Sequence, residues 1–145
     1  LQDEINKDLQ DEINKAIDQG LSASIYVPPG ERLAFRSNVE CNGKINLTVR
    51  SSGEGATLDG KKSSNMFDIS GGCSLYLEAL HFVDGVGAYG GAVLANGAGD
   101  IAMKDVSFTG CVATIGRGGG ISVDNSGDVS LEGASFSECT ASNNG

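Results

Sequence analysis

The chain is 145 residues long, a length that suits one domain, and carries 22 glycines against 2 prolines and no tryptophan, with a net charge of −9. No Gly-X-Y period is present, and an apolar fraction of 39% is too high for a disordered tract, which excludes both a collagen-like and an unfolded chain. The acidic balance speaks against nucleic acid or an anionic membrane as partner, since both need clustered Lys and Arg, and no apolar run approaches the ~20 residues of a membrane helix.

Residues 1–20 read as an amphipathic helix. Leu1, Ile5, Leu9, Ile13 and Ile17 recur every fourth residue with Ala16 beside them, and Gly20 stands as the C′ residue that stops the helix. The heptapeptide LQDEINK occurs twice, at 1–7 and 9–15. No signal peptide precedes this stretch, so an exported protein would be represented in its mature form. From residue 21 to 145 the pattern changes to strands. Ser22 to Val27 is the first, turned by Pro28-Pro29-Gly30; Leu33-Ala34-Phe35 and Ile45 to Val49 alternate with period two, and Asn42-Gly43 marks a turn between them. Ser51 to Lys62 is polar and glycine-rich, a loop interrupted by Ala56 to Gly60.

A regular array follows. Leu75-Tyr76-Leu77-Glu78-Ala79-Leu80-His81-Phe82 returns 26 residues later as Ile101-Ala102-Met103-Lys104-Asp105-Val106-Ser107-Phe108, and 28 residues after that as Val129-Ser130-Leu131-Glu132-Gly133-Ala134-Ser135-Phe136. Phe67 and Ile69, Val93 and Ala95, Ile121 and Val123 keep the same offsets. Such units cannot bury an apolar face alone and must stack. Parallel strands without a helical period between them are brought together by coiling the chain. Inward residues then form columns: Phe82 on Phe108 on Phe136, Leu77 on Met103 on Leu131, Leu75 on Ile101 on Val129, Leu80 on Val106 on Ala134. The expected fold is all-β, a right-handed parallel β-helix with an N-terminal amphipathic capping helix. The pattern at Asn143-Asn144-Gly145 calls for a further Gly-Gly strand, so the solenoid is expected to continue beyond the chain end.

Phe108-x-x-Cys111-x-Ala113 with Gly118-Gly119-Gly120-Ile121, and Phe82-x-x-Gly85 with Gly90-Gly91-Ala92-Val93, resemble the repeat of polymorphic outer-membrane-protein-type chains within the pectin-lyase-like right-handed β-helices. Phe136-x-x-Cys139-x-Ala141 is similar. The resemblance extends to the opening, with a cap helix, Ile25 to Gly30 and Ala56 to Gly60. It implies the fold; members of that superfamily include lyases, hydrolases, adhesins and proteins without known activity.

The resemblance implies calcium-binding carboxylates with an arginine base for the uronic-acid lyases of this fold, and close-set Asp pairs with a Gly-His-Gly and an Arg-x-Lys motif for its hydrolases; none of those motifs is present. His81 lies between inward Leu80 and Phe82, so it points outward in a plain surface role. Asp100 and Asp128 share a column, with Asp105 nearby in sequence; stacked carboxylates are a way to hold a hard cation, but each of the two follows glycine at a bend, where Asp serves turns. Cys111 and Cys139 occupy equivalent positions in adjacent coils, ~4.8 Å apart, open either to a disulfide or to a ladder of buried thiols. Cys41 and Cys73 show no partner in this register. Asn46-Leu47-Thr48 fits an N-glycosylation site. No catalytic, cofactor-binding or metal residue is assigned and no cofactor is expected. The chain reads as a non-catalytic structural or interaction scaffold, extracellular or at a cell surface (or in an organelle lumen), with protein or glycan partners, no membrane insertion, and a place in a larger assembly among its expected settings. The alternative is part of a polysaccharide lyase or hydrolase whose site lies beyond residue 145.

Overall fold

A computed structural model describes residues 2–142, with side chains from residue 9 onward. Gln2–Gln19 forms the helix. Leu9, Ile13 and Ala16 are buried in the core cluster and Ile17 packs against it, so the apolar stripe is spent on the first coil. Leu1 and Ile5 of that stripe lie outside the residues whose side chains are described. Gly20 ends the helix at φ +65°, with Leu21 N–H donating to Ala16 O at 2.9 Å and Gly20 N–H to Ile17 O at 3.2 Å. These are the two bonds of a Schellman cap, which needs a left-handed residue at the C′ position.

Behind the helix the chain winds as a parallel β-solenoid of about five turns. One face stacks Ala23–Tyr26, Asn46–Arg50, the first half of Ser74–Val83, the first half of Ile101–Thr109, and Val129–Glu132. The next stacks Arg32–Ala34, Ala56–Asp59, the second halves of the same two long strands, and Ser135–Ser137. A narrow third face holds Val86–Gly87, Val112–Ala113 and Thr140–Ala141, and a fourth holds Val39–Asn42, Phe67–Ser70, Val93–Asn96 and Ile121–Asp124.

The long strands turn a corner without breaking. Leu75 and Leu77 face inward with period two, but the next inward residues are Leu80 and Phe82, a step of three. The extra residue is Ala79, at φ +55°; Asp105 (+54°) and Gly133 (+64°) take the same place in the following coils and Gly55 (+87°) in the preceding one. One left-handed residue per coil turns the strand so that both halves present their apolar sides to one core.

The inward columns follow the register expected from the repeat: Leu75 pairs Ile101 and Ile101 pairs Val129, Leu77 pairs Met103 and Met103 pairs Leu131. The aromatic column is longer than the repeat indicated. Phe82, Phe108 and Phe136 stack at 5.0 and 4.8 Å, and Phe35 and Phe67 extend the series with centroid distances of 6.1 and 6.0 Å. The columns are not buried equally. Leu75, Met103 and Phe108 are at most 2% exposed, whereas Val129, Leu131 and Phe136 are 49, 45 and 49% exposed, because coil packing covers them from one side alone.

The cysteines divide differently from the expectation. Cys41 and Cys73, which showed no partner in sequence, form a disulfide with their Cα atoms 6.1 Å apart. Register places Cys41 beside Ile69, and the chain then turns through Gly71-Gly72 and returns Cys73 to the same buried corner. Cys111 and Cys139, one above the other in register, stay free thiols. Each of these thiols is turned to a backbone carbonyl of the preceding coil, Cys111 to Phe82 and Cys139 to Phe108, whereas Cys41 and Cys73 meet across a corner.

Candidate functional site: the outward face of the long strands

The first face presents an outward column of Tyr26, Arg50, Glu78, Lys104 and Glu132, each in register with the next. Its charges alternate coil by coil at the spacing of neighbouring strands, which favours this register and opposes a slip by one coil. The Arg50 guanidinium lies 5.6 Å from the centroid of the Tyr26 ring, and the Tyr26 hydroxyl is 2.7 Å from Ser52 Oγ. In the adjacent column the Tyr76 hydroxyl donates to Glu78 Oε1 at 2.6 Å. That bond, reinforced by burial and by the acidic neighbours, pushes the phenol up to about 12. Asn46, Thr48, Ser74, Tyr76, Asp100 and Ala102 line a shallow cleft on this face. Asn46 is exposed there, on a regular strand, with half-buried Thr48 two residues on.

The second face carries Thr57, His81, Ser107 and Ser135 outward in one column. His81 points outward as expected, yet it is half-buried and engaged at both nitrogens. Nε2 lies 2.7 Å from the Glu54 carbonyl and Nδ1 2.8 Å from Ser107 Oγ. A carbonyl only accepts, so the neutral ring carries its proton on Nε2 and accepts the Ser107 hydroxyl at Nδ1. The imidazole thus ties together three successive coils.

At the edge of this face, Asp59 is nearly enclosed, with its side chain 4% exposed. Arg32 Nη2 and Nε donate to its Oδ2 at 2.9 and 3.2 Å, and the Lys61 N–H donates to Oδ1 at 2.8 Å. Burial pulls the carboxyl upward, but these hydrogen bonds and the charges of Arg32 and Lys61 outweigh it and hold the group below the ordinary carboxylate value.

Asp100 and Asp128 serve the turn. The Asp128 N–H donates to Asp100 Oδ1 at 2.9 Å, and the Asp100 N–H donates to Ser74 Oγ at 3.0 Å, so side chains of one coil cap the backbone of the next. Asp105 occupies the left-handed corner position instead and is not brought into that ladder. Among the described residues, no group of three His, Cys, Asp or Glu side chains is arranged to hold a metal ion. Cys111 is buried against backbone, its sulfur 3.8 Å from Thr109 O and 4.0 Å from Phe82 O; Cys139 repeats the arrangement at 3.6 Å from Ser137 O and 3.5 Å from Phe108 O. Burial, above all, pushes the Cys111 thiol up to about 12, so it stays protonated and weakly reactive.

The residues that sequence reasoning passed over here are Tyr26, Arg50, Ser52 and Tyr76 on the first face and Arg32 with Asp59 on the second. The charge column was readable: carrying the 28-residue step back from Leu75 reaches Leu47, and Arg50 then falls beside Glu78. The Arg32–Asp59 clamp had no such signal, since its partners are two residues out of register in neighbouring coils. No helix among the described residues is long and apolar enough to cross a membrane. No protein-family model, no curated protein and no solved structure matches the chain.

Proposed function

We propose that this chain is a non-catalytic structural or interaction module, a rigid β-solenoid segment that presents flat strand faces to protein or glycan partners at the cell surface or outside the cell. The observation that carries this reading is the use made of the outward polar side chains. His81, Ser107, Asp100, Tyr76 and Glu78 are engaged in hydrogen bonds within or between coils, which stiffen the faces. A solenoid built this way transmits length and orientation, with each coil contacting only its neighbours. The buried Cys41–Cys73 bond supports an address outside reducing compartments. The Phe-x-x-Cys and Gly-Gly repeats support placing the coils among right-handed, pectin-lyase-like solenoids of the polymorphic outer-membrane-protein type, and exposed Asn46 supports glycan attachment in a host that carries out that modification.

The test is turnover on polyuronates with and without calcium, by absorbance of unsaturated products and by reducing ends. No product above buffer is expected from the 145-residue chain. Calcium-dependent release of unsaturated sugars, lost in Asp100→Asn or Asp128→Asn, would move the protein to the enzyme class.

A further inference from the structure

The Cys41–Cys73 bond joins two places that the coil pattern keeps apart. Cys41 lies in Val39–Asn42, the last strand of the first coil, and Cys73 directly precedes Ser74–Val83, the first strand of the third. The covalent loop between them therefore encloses the whole second coil, with its strands Asn46–Arg50, Ala56–Asp59 and Phe67–Ser70. Both cysteines are 0% exposed.

The strand that carries Cys41 is also the seat of the helix. Gln10 Nε2 donates to Glu40 O and the Glu40 N–H donates to Gln10 Oε1, both at 2.8 Å, so one side-chain amide completes the edge of Val39–Asn42 as a further strand would. Ile17 lies close over the turn that follows: a Cβ at Gly43 would meet its Cγ2 at 3.0 Å. On its other side, among the described residues, Val39–Asn42 pairs with Phe67–Ser70 alone. The cap is thus seated on a four-residue strand whose attachment to the rest of the solenoid runs through the second coil.

We propose that the Cys41–Cys73 disulfide is an oxidation-set lock on the capped end, closing the second coil into a covalent ring and holding the strand on which the helix sits. In forming it, the two thiols lose two electrons and two protons to an acceptor disulfide, which leaves as two thiols. The exchange passes through a mixed disulfide that the second thiolate resolves. Because both sulfurs are buried in the folded chain, the lock is set before the first coil closes. A dithiol reductant reaches it only when that end opens. Without the lock the C-terminal coils keep their stacking, while the helix and first coil open more often.

The test uses the 145-residue chain refolded in a glutathione redox buffer or in a phosphine reductant. Alkylation after denaturation without reduction should modify Cys111 and Cys139 alone in the oxidised sample, read by peptide mass. Reduction should lower the melting temperature by about 10 °C. It should also strip amide-exchange protection from Gln2–Gln19 and Val39–Asn42 ahead of Ile101–Thr109. The Cys41→Ala/Cys73→Ala variant should melt at one temperature with and without reductant; if it fails to fold, the wild-type pair of samples still decides. Alkylation of all four cysteines in the oxidised sample, an unchanged melting temperature on reduction, or protection lost equally along the solenoid would each overturn the proposal.

Discussion

Phe108 and His81 show how burial and hydrogen bonding divide the stability of neighbouring columns. Phe108 is 0% exposed between two aromatic rings, so Phe108→Ala leaves a cavity in the middle of the stack and is expected to cost about 3–5 kcal/mol in chemical denaturation. His81→Ala removes two hydrogen bonds at a half-buried site and is expected to cost about 1 kcal/mol. Equal costs would mean that the inward and outward registers are exchanged. Asp59 titrates in a way that reports its clamp. Its folded carboxyl lies below the unfolded value of about 3.9, so its contribution is complete above that pH and is lost as pH falls through the folded value. Asp59→Asn should therefore flatten the fall of stability below about pH 4, measured by urea midpoints across pH. Arg32 and Lys61 are more than half exposed, and solvent screening keeps the effect modest.

At the scale of elements, the corner within the long strands is the feature on which both faces depend. Ala79 holds a left-handed conformation that costs a residue with a Cβ about 1 kcal/mol or more, and Gly55 and Gly133 occupy the same column without that strain. Ala79→Gly is accordingly expected to stabilise the fold by about 1 kcal/mol in thermal melts, whereas Ala79→Val should destabilise it. The corner is legible in sequence as the step of three between Leu77 and Leu80, but its conformation is not. A period-two pattern that skips one residue is compatible with a bulge, a loop or a bend, and only the closure of the coil selects the last. The fourth face carries a cost of a different kind. Glu40 and Asp68 stand in register, and burial together with Glu40 raises the Asp68 carboxyl. The Gln10 amide on Glu40 backbone shows what offsets it: that strand is held at its edge by the helix.

Over the whole molecule the two ends differ. At one end the helix covers the first coil with Leu9, Ile13 and Ala16 and satisfies the edge of Val39–Asn42 through Gln10. Deleting residues 1–20 should expose that edge and the core beneath it, lowering the melting temperature and producing concentration-dependent association by light scattering. A monodisperse truncated chain with unchanged melting would show that the first coil is closed without the helix.

What the sequence determined by itself is whatever repeats. The periods of 26 and 28 residues fix which residues stack, because equal offsets in successive coils meet at one point of the cross-section, and alternation fixes which of them face inward. The helix and its stop at Gly20 are equally local, a stripe and a single left-handed residue. Tertiary structure alone decided the contacts between unlike positions. Cys41 meets Cys73 across a corner, Gln10 meets Glu40 across the cap, Arg32 meets Asp59 two residues out of register, and His81 reaches the Glu54 carbonyl. A repeat compares each residue with its own copies, whereas these bonds depend on how far the chain has turned between two places that have no copy of one another.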